Sequence, residues 1–99
     1  MATLPIININ GTSAESLFDE YIEASRLLRK ADIFLRESTT CHGRDFQFNP
    51  AGDYDKAKQE RYDMFQKLND VLNYCEKWVE NAENNILDKS IDEAVEILF

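Results

Sequence analysis

The side chains best suited to chemistry crowd into one short stretch, "TTCHGRDFQFNPAGD" from Thr39 to Asp53, which holds the only histidine of the chain. His42, Gly43, Arg44, Asp45 and Phe46 follow one another directly, and Phe48 lies two residues on. Together they suit a small phosphate-bearing ligand such as a nucleotide. A guanidinium forks onto phosphate or carboxylate, an imidazole donates a second bond, and a phenyl face stacks on a base. Gly43 lets the backbone approach a ligand closely. The same residues also suit a sealed hairpin end, with Arg44 paired to a carboxylate, His42 over the last carbonyls of a helix, and both phenylalanines as packing. The state of Arg44 separates the two.

Other chemistry is poorly served. Cys41 stands beside His42, but adjacent side chains rarely point at each other, and no second base or oxyanion arrangement accompanies them. Asp53, Asp55 and Glu60 miss the spacing of a calcium loop and fit a helix N-terminus better. Cys41 and Cys75 have no zinc-site spacing and read as free thiols. The expectation is a protein that is not an enzyme and needs no cofactor or metal.

Helical elements must hold this loop. Leu4 to Asn10, with Ile6, Ile7 and Ile9, reads as a short extended segment that needs a pairing partner. Thr12 and Glu15 have capping-box spacing, so helix one is expected over 13–37. Its apolar positions Leu17, Tyr21, Ala24, Leu28, Ala31 and Leu35 step by four and three, flanked by Phe18, Ile22, Leu27 and Phe34. That stepping is a heptad seam. After a loop over 38–52, helix two is expected over 53–87, capped by Asp53, with the seam Arg61, Phe65, Leu68, Leu72, Cys75, Val79, Ala82 and Ile86. Met64, Val71 and Trp78, with Tyr74 between, form a second line. Its apolar face is therefore broader than one partner helix covers.

Ser90 and Glu93 repeat the capping-box spacing, and Ile91, Ala94, Val95 and Leu98 share one helical face. This predicts a hinge at 88–90 and a short amphipathic helix over 90–99, docked on its own hairpin or on a neighbour, since so short a helix does not persist alone. The fold class is then all-α: a single-domain antiparallel two-helix hairpin with a long connecting loop, a short N-terminal extended segment and a short C-terminal helix. A chain of 99 residues makes a thin core, which favours a homo-oligomer. Met64, Val71, Tyr74, Trp78, Ile91, Val95 and Leu98 are the expected interface.

Eleven basic residues against 19 acidic ones leave a net charge of −8, a poor balance for gripping a phosphate backbone, so direct nucleic-acid binding is not expected. The acidic excess reads as spread along the chain. Asp19, Glu20, Glu23, Glu76, Glu80 and Glu83 on the helices could occupy a basic surface of another protein. No stretch approaches the ~20 apolar residues of a membrane span, and the N-terminus has no secretion-signal pattern, so a cytosolic protein is expected.

"ININGTSAESLFDEY" and "CHGRDF" together resemble small tailed-bacteriophage proteins in which an N-I-N-G-T-S start opens one helix and an H-G-R-D-[YF] stretch precedes a second. The resemblance covers roughly Ile7 to Leu72. Gln47 departs from it, standing where a second aromatic or proline would be expected nearby. It implies a phage origin, a host cytoplasm and action on host machinery or defence, by sequestering a nucleotide ligand or occupying a protein surface. A structural or assembly role is the further alternative.

Overall fold

The structure, a computed structural model, describes residues 2–98, with side chains as far as Asp88. It is the helical hairpin that the periodicities predict: α1 spans Ala14–Ser38 and α2 spans Asp53–Leu98, joined through a 3-10 turn at Gly43–Phe46. The result is a rod 75 × 23 × 20 Å with a radius of gyration of 21.0 Å, against about 13 Å for a compact domain of this length.

Each helix end has a local cause. The cap of α1 is Ser13, whose Oγ accepts from the Ser16 amide at 3.1 Å, rather than the Thr12–Glu15 pair. Serine is at least as good a cap as threonine, and the one-residue shift leaves Glu15 in the first turn, where its charge complements the helix dipole. Ahead of α2, Asp53 N donates to Pro50 O at 3.2 Å and Gly52 takes φ +95°, a turn that a residue bearing a Cβ would strain. Asp53 is the first residue of α2 rather than its cap.

The described backbone of α2 is helical through 88–90 to Leu98, and the side chains of the expected helix over 90–99 lie outside the described residues. The stretch "LDKSIDEAV" contains neither glycine nor proline, and a capping-box pattern without a breaker does not interrupt a helix that is already propagating. The docking expected of Ile91, Val95 and Leu98 lies outside the described side chains.

No strand forms among the described residues. Ala2 lies beside Tyr74 and Lys77, while Ile7 lies beside Asn85 and Ile86. Six residues thus cover about 18 Å of α2, as only a nearly extended chain can. Its polar anchor is a side chain, not a neighbouring strand: Asn81 Nδ2 donates to Pro5 O at 3.1 Å.

Arg61 closes the hairpin at the loop end. Its Nη2 donates to Leu35 O at 2.6 Å and to Thr39 O at 3.4 Å, and its Nη1 donates to Thr39 Oγ1 at 3.0 Å. Thr39 Oγ1 in turn donates to Leu35 O. A cation from α2 therefore engages two of the carbonyls at the end of α1, the negative end of its dipole. The Arg61 guanidinium also lies 5.1 Å from the Phe65 ring centre, and Arg36 lies over the same ring at 4.1 Å. Toward the other end, Tyr21 stacks on Trp78 with ring centres 4.8 Å apart, and Arg29 pairs with Glu76 across the helices.

With Thr39 level with Arg61 and Tyr21 level with Trp78, the seam follows. On α2 it runs as expected, with Phe65, Cys75 and Ala82 buried and Arg61, Leu68, Leu72, Val79 and Ile86 half-buried. On α1 it runs through Ala14, Phe18, Tyr21, Ser25, Leu28, Asp32, Leu35 and Thr39. This corrects the expected line: Ser25 and Asp32 occupy seam places assigned to Ala24 and Ala31, and Ala31 is exposed. Hydropathy favoured the alanines; the hydrogen bonds of Arg61 to Thr39 and the packing of Arg36 over the Phe65 ring of α2 hold the more polar side inward. Ser25 is only 2% exposed, and its Oγ finds no partner among the described residues.

Two outcomes follow for urea unfolding. Arg61→Met should lower stability by about 2 kcal/mol, because it leaves α1 carbonyls bare at a partly buried helix end. Ser25→Ala should raise stability by about 0.5–1 kcal/mol, through helix propensity and loss of an unpaired buried hydroxyl. A destabilised alanine variant would mean that the hydroxyl is bonded.

Candidate functional site

The loop is built from the end of α1 outward. Thr39 leaves helical geometry with ψ 149°, and Gly43–Phe46 then form a single 3-10 turn. Asp45 N donates to His42 O at 3.0 Å, and Asp45 Oδ2 accepts from His42 N at 3.2 Å. Asp45 is therefore engaged with the backbone of its own turn, not with Arg44.

Tyr54 of α2 is the anvil on which this turn rests. Phe46 stacks on it with ring centres 5.7 Å apart, and Lys58 Nζ lies 4.4 Å from the ring centre on the helix beyond. A Cβ added at Gly43 would stand 3.2 Å from Tyr54 Cε2, so close approach to this ring accounts for the glycine. Gly43 and Phe46 thus serve packing. His42, Arg44 and Phe48 remain outside it, all exposed, Phe48 at 95%.

Arg44 meets neither of the two conditions that would decide the loop's role. Its side chain forms no hydrogen bond or ion pair among the described residues, and it lines none of their five principal concavities. The depression nearest the loop is bounded by Phe46, Asp53, Lys56, Ala57 and Glu60, and two of its walls are carboxylates. One copy of the chain brings the ligand candidates His42, Gly43, Arg44, Asp45, Phe46 and Phe48 onto one turn but encloses no ligand volume with them. Among the described residues no three histidine, cysteine or acidic side chains converge as metal ligands. None of their helices is long and apolar enough to cross a membrane.

The expected interface residues divide. Trp78 is engaged within the chain, between Tyr21 and the segment Pro5–Asn8. Burial, with the nearby Tyr74, Cys75 and Glu20, holds the Tyr21 phenol above its ordinary pKa. Met64 is half-buried, Val71 and Tyr74 are exposed, and Ile91, Val95 and Leu98 lie beyond the described side chains.

The hairpin also changes what the charges mean. Residues 1–24 and 76–99 together carry 11 acidic and two basic side chains, whereas residues 25–75 carry eight and nine. The excess that reads as spread along the chain belongs to its two termini, which the fold brings together at the end of the rod away from the loop. Glu23 is paired with Arg26, which holds its carboxyl below the usual range, and Glu76 is paired with Arg29. Asp19, Glu20, Glu80 and Glu83 have no such partner among the described residues. Sequence reading missed this concentration; counting charge over the first and last 24 residues rather than in total would have exposed it.

Arg44→Ala should change unfolding free energy by less than about 0.5 kcal/mol, whereas Tyr54→Ala should cost about 2 kcal/mol through the lost stacking and burial of the loop. Equal costs in chemical denaturation would show that Arg44 is structural. Comparison with known proteins gives no match to this chain among family models, curated proteins or solved structures.

Proposed function

We propose that this chain is a non-catalytic binding protein that acts by contact, its acidic end occupying a basic surface on another protein. The observation that carries this reading is the gathering, among the described side chains, of Glu15, Asp19, Glu20, Glu23, Glu76, Glu80, Glu83 and Asp88 against Lys77 alone at the end of the rod away from the loop. Like charges held on a rigid helical frame create a field that steers a basic partner and orders its approach. The resemblance to tailed-phage proteins supplies the setting: a host cytoplasm, with host machinery or defence as the target.

Replacing Asp19, Glu20, Glu80 and Glu83 with their amides should release the partner while circular dichroism shows the helices intact. The parent complex should weaken by at least about tenfold between 50 and 300 mM salt. A partner retained by the amide variant with unchanged salt sensitivity would refute the reading.

A second reading rests on Arg44, an exposed guanidinium without a partner beside His42 and Phe48. Here the loop sequesters a phosphate-bearing ligand such as a nucleotide, in a pocket completed by a neighbouring subunit. Thermal stabilisation by nucleotides that disappears in Arg44→Ala is the expected outcome, and the absence of any shift with cyclic or linear nucleotides would exclude it.

A further inference from the structure

One face of the rod is apolar along much of its length and only half covered. Positions that precede a seam residue by one lie on the same side of both helices in an antiparallel pair. On α1 these are Leu17, Glu20, Ala24, Leu27, Ala31 and Phe34; on α2 they are Glu60, Met64, Lys67, Val71, Tyr74, Trp78, Asn81 and Asn85, so the apolar strip is broken by charge only at Glu20, Glu60 and Lys67. Toward the acidic end the N-terminal segment covers this face, with Pro5–Asn8 against Leu17 and Trp78. Toward the loop nothing in the chain does. Leu27 and Phe34 are 52% and 62% exposed, Val71 and Tyr74 are exposed beside them, and two alanines leave room between for another helix. The opposite face carries Arg26, Arg29, Arg36, Gln66, Asn69 and Glu76, with Ile22, Ile33 and Tyr62 exposed among them.

We propose that a second copy of this chain covers the face, related by a two-fold axis passing near Ala31 and Lys67, so that two hairpins form an antiparallel four-helix bundle. Three observations select this occupant and this arrangement.

The first is area. The chain exposes 7875 Å², about 2000 Å² more than the roughly 5800 Å² expected of a compact monomer of its mass. Overlap of about 40 Å along a rod 23 Å wide covers roughly 900 Å² per copy, close to the ~800 Å² per partner of a stable interface.

The second is continuity. Ile9 and Phe48 are 100% and 95% exposed at opposite ends of the rod. From Lys67, α2 extends about 28 Å to Ile86, where Ile9 sits, and about 21 Å back to Asp53, beyond which the turn leads to Phe48. The axis that pairs the central strips therefore sets the Ile9 region of each copy against the Phe48 region of the other. One operation thus brings the central strip, Ile9 and Phe48 to the partner, and leaves Ile22, Ile33 and Tyr62 outside it.

The third is charge. A parallel partner would set two ends of 11 acidic and two basic residues side by side, whereas the antiparallel one sets each against the near-neutral 25–75 half. Like-charge juxtaposition at an interface is strongly unfavourable, so the antiparallel arrangement is selected. This inference is independent of the proposed partner, and a dimer that captures no basic protein leaves it standing.

Light scattering at about 100 µM should return twice the chain mass. Leu27→Glu with Phe34→Glu should weaken association by at least about 100-fold while helicity is kept, and Ile33→Glu, equally exposed but on the polar face, should leave the dimer intact. In a chain with Cys41→Ser and Cys75→Ala, mixing Ile9→Cys and Phe48→Cys copies should give mainly the mixed disulfide. A monomer at that concentration, a dimer broken equally by Ile33→Glu, or a predominance of Ile9→Cys and Phe48→Cys self-linked pairs would overturn the proposal.

Discussion

The structure depends on the grip of Arg61 on the end of α1. A helix terminating without partners for its last carbonyls frays, and here those carbonyls receive a guanidinium from the facing helix instead of water. Because the donor comes from α2, the bond that ends one helix also sets the level at which the other crosses it. Tyr21 and Trp78, far from this clasp, meet only because the two helices have kept step since Thr39 and Arg61.

That shared level has a consequence for the seam of α1. Turning Thr39 and Asp32 toward α2 makes Ser25, with Ala82, one of the two most enclosed among the described residues and swings Ala31 into the open. An isolated amphipathic helix would do the reverse. The periodicity of Leu17, Ala24 and Ala31 is real, but it describes a face that the hairpin does not use for itself. A hydrophobic period that points to one surface while the fold buries the neighbouring one is what a helix with two partners shows.

The loop and the acidic end illustrate how differently chemistry can be distributed. In the loop, reactive residue types are adjacent in sequence, yet Asp45 serves its own turn, Gly43 and Phe46 serve Tyr54, and Arg44 stands apart. At the acidic end the contributing stretches are far apart in sequence, since residues near 20 and near 80 meet only through the fold. Adjacency in the chain brought residues together without enclosing anything; folding brought distant ones into a common field.

Much of this protein was legible in its residues. The all-helical hairpin, the start of α2 after the turn at Gly52, the whole seam of α2 and the end of α1 at its serine and threonine cluster follow from periodicity and turn chemistry, which are local. What only the tertiary structure decided is which of two adjacent faces of α1 turns inward, that Arg61 is a clasp rather than a tolerated seam residue, that Trp78 and the N-terminal segment belong to each other, and that the charge of the two termini is one charge. Each depends on the level at which two distant stretches pass. Sequence spacing within either helix does not contain that quantity; the bonds between them do.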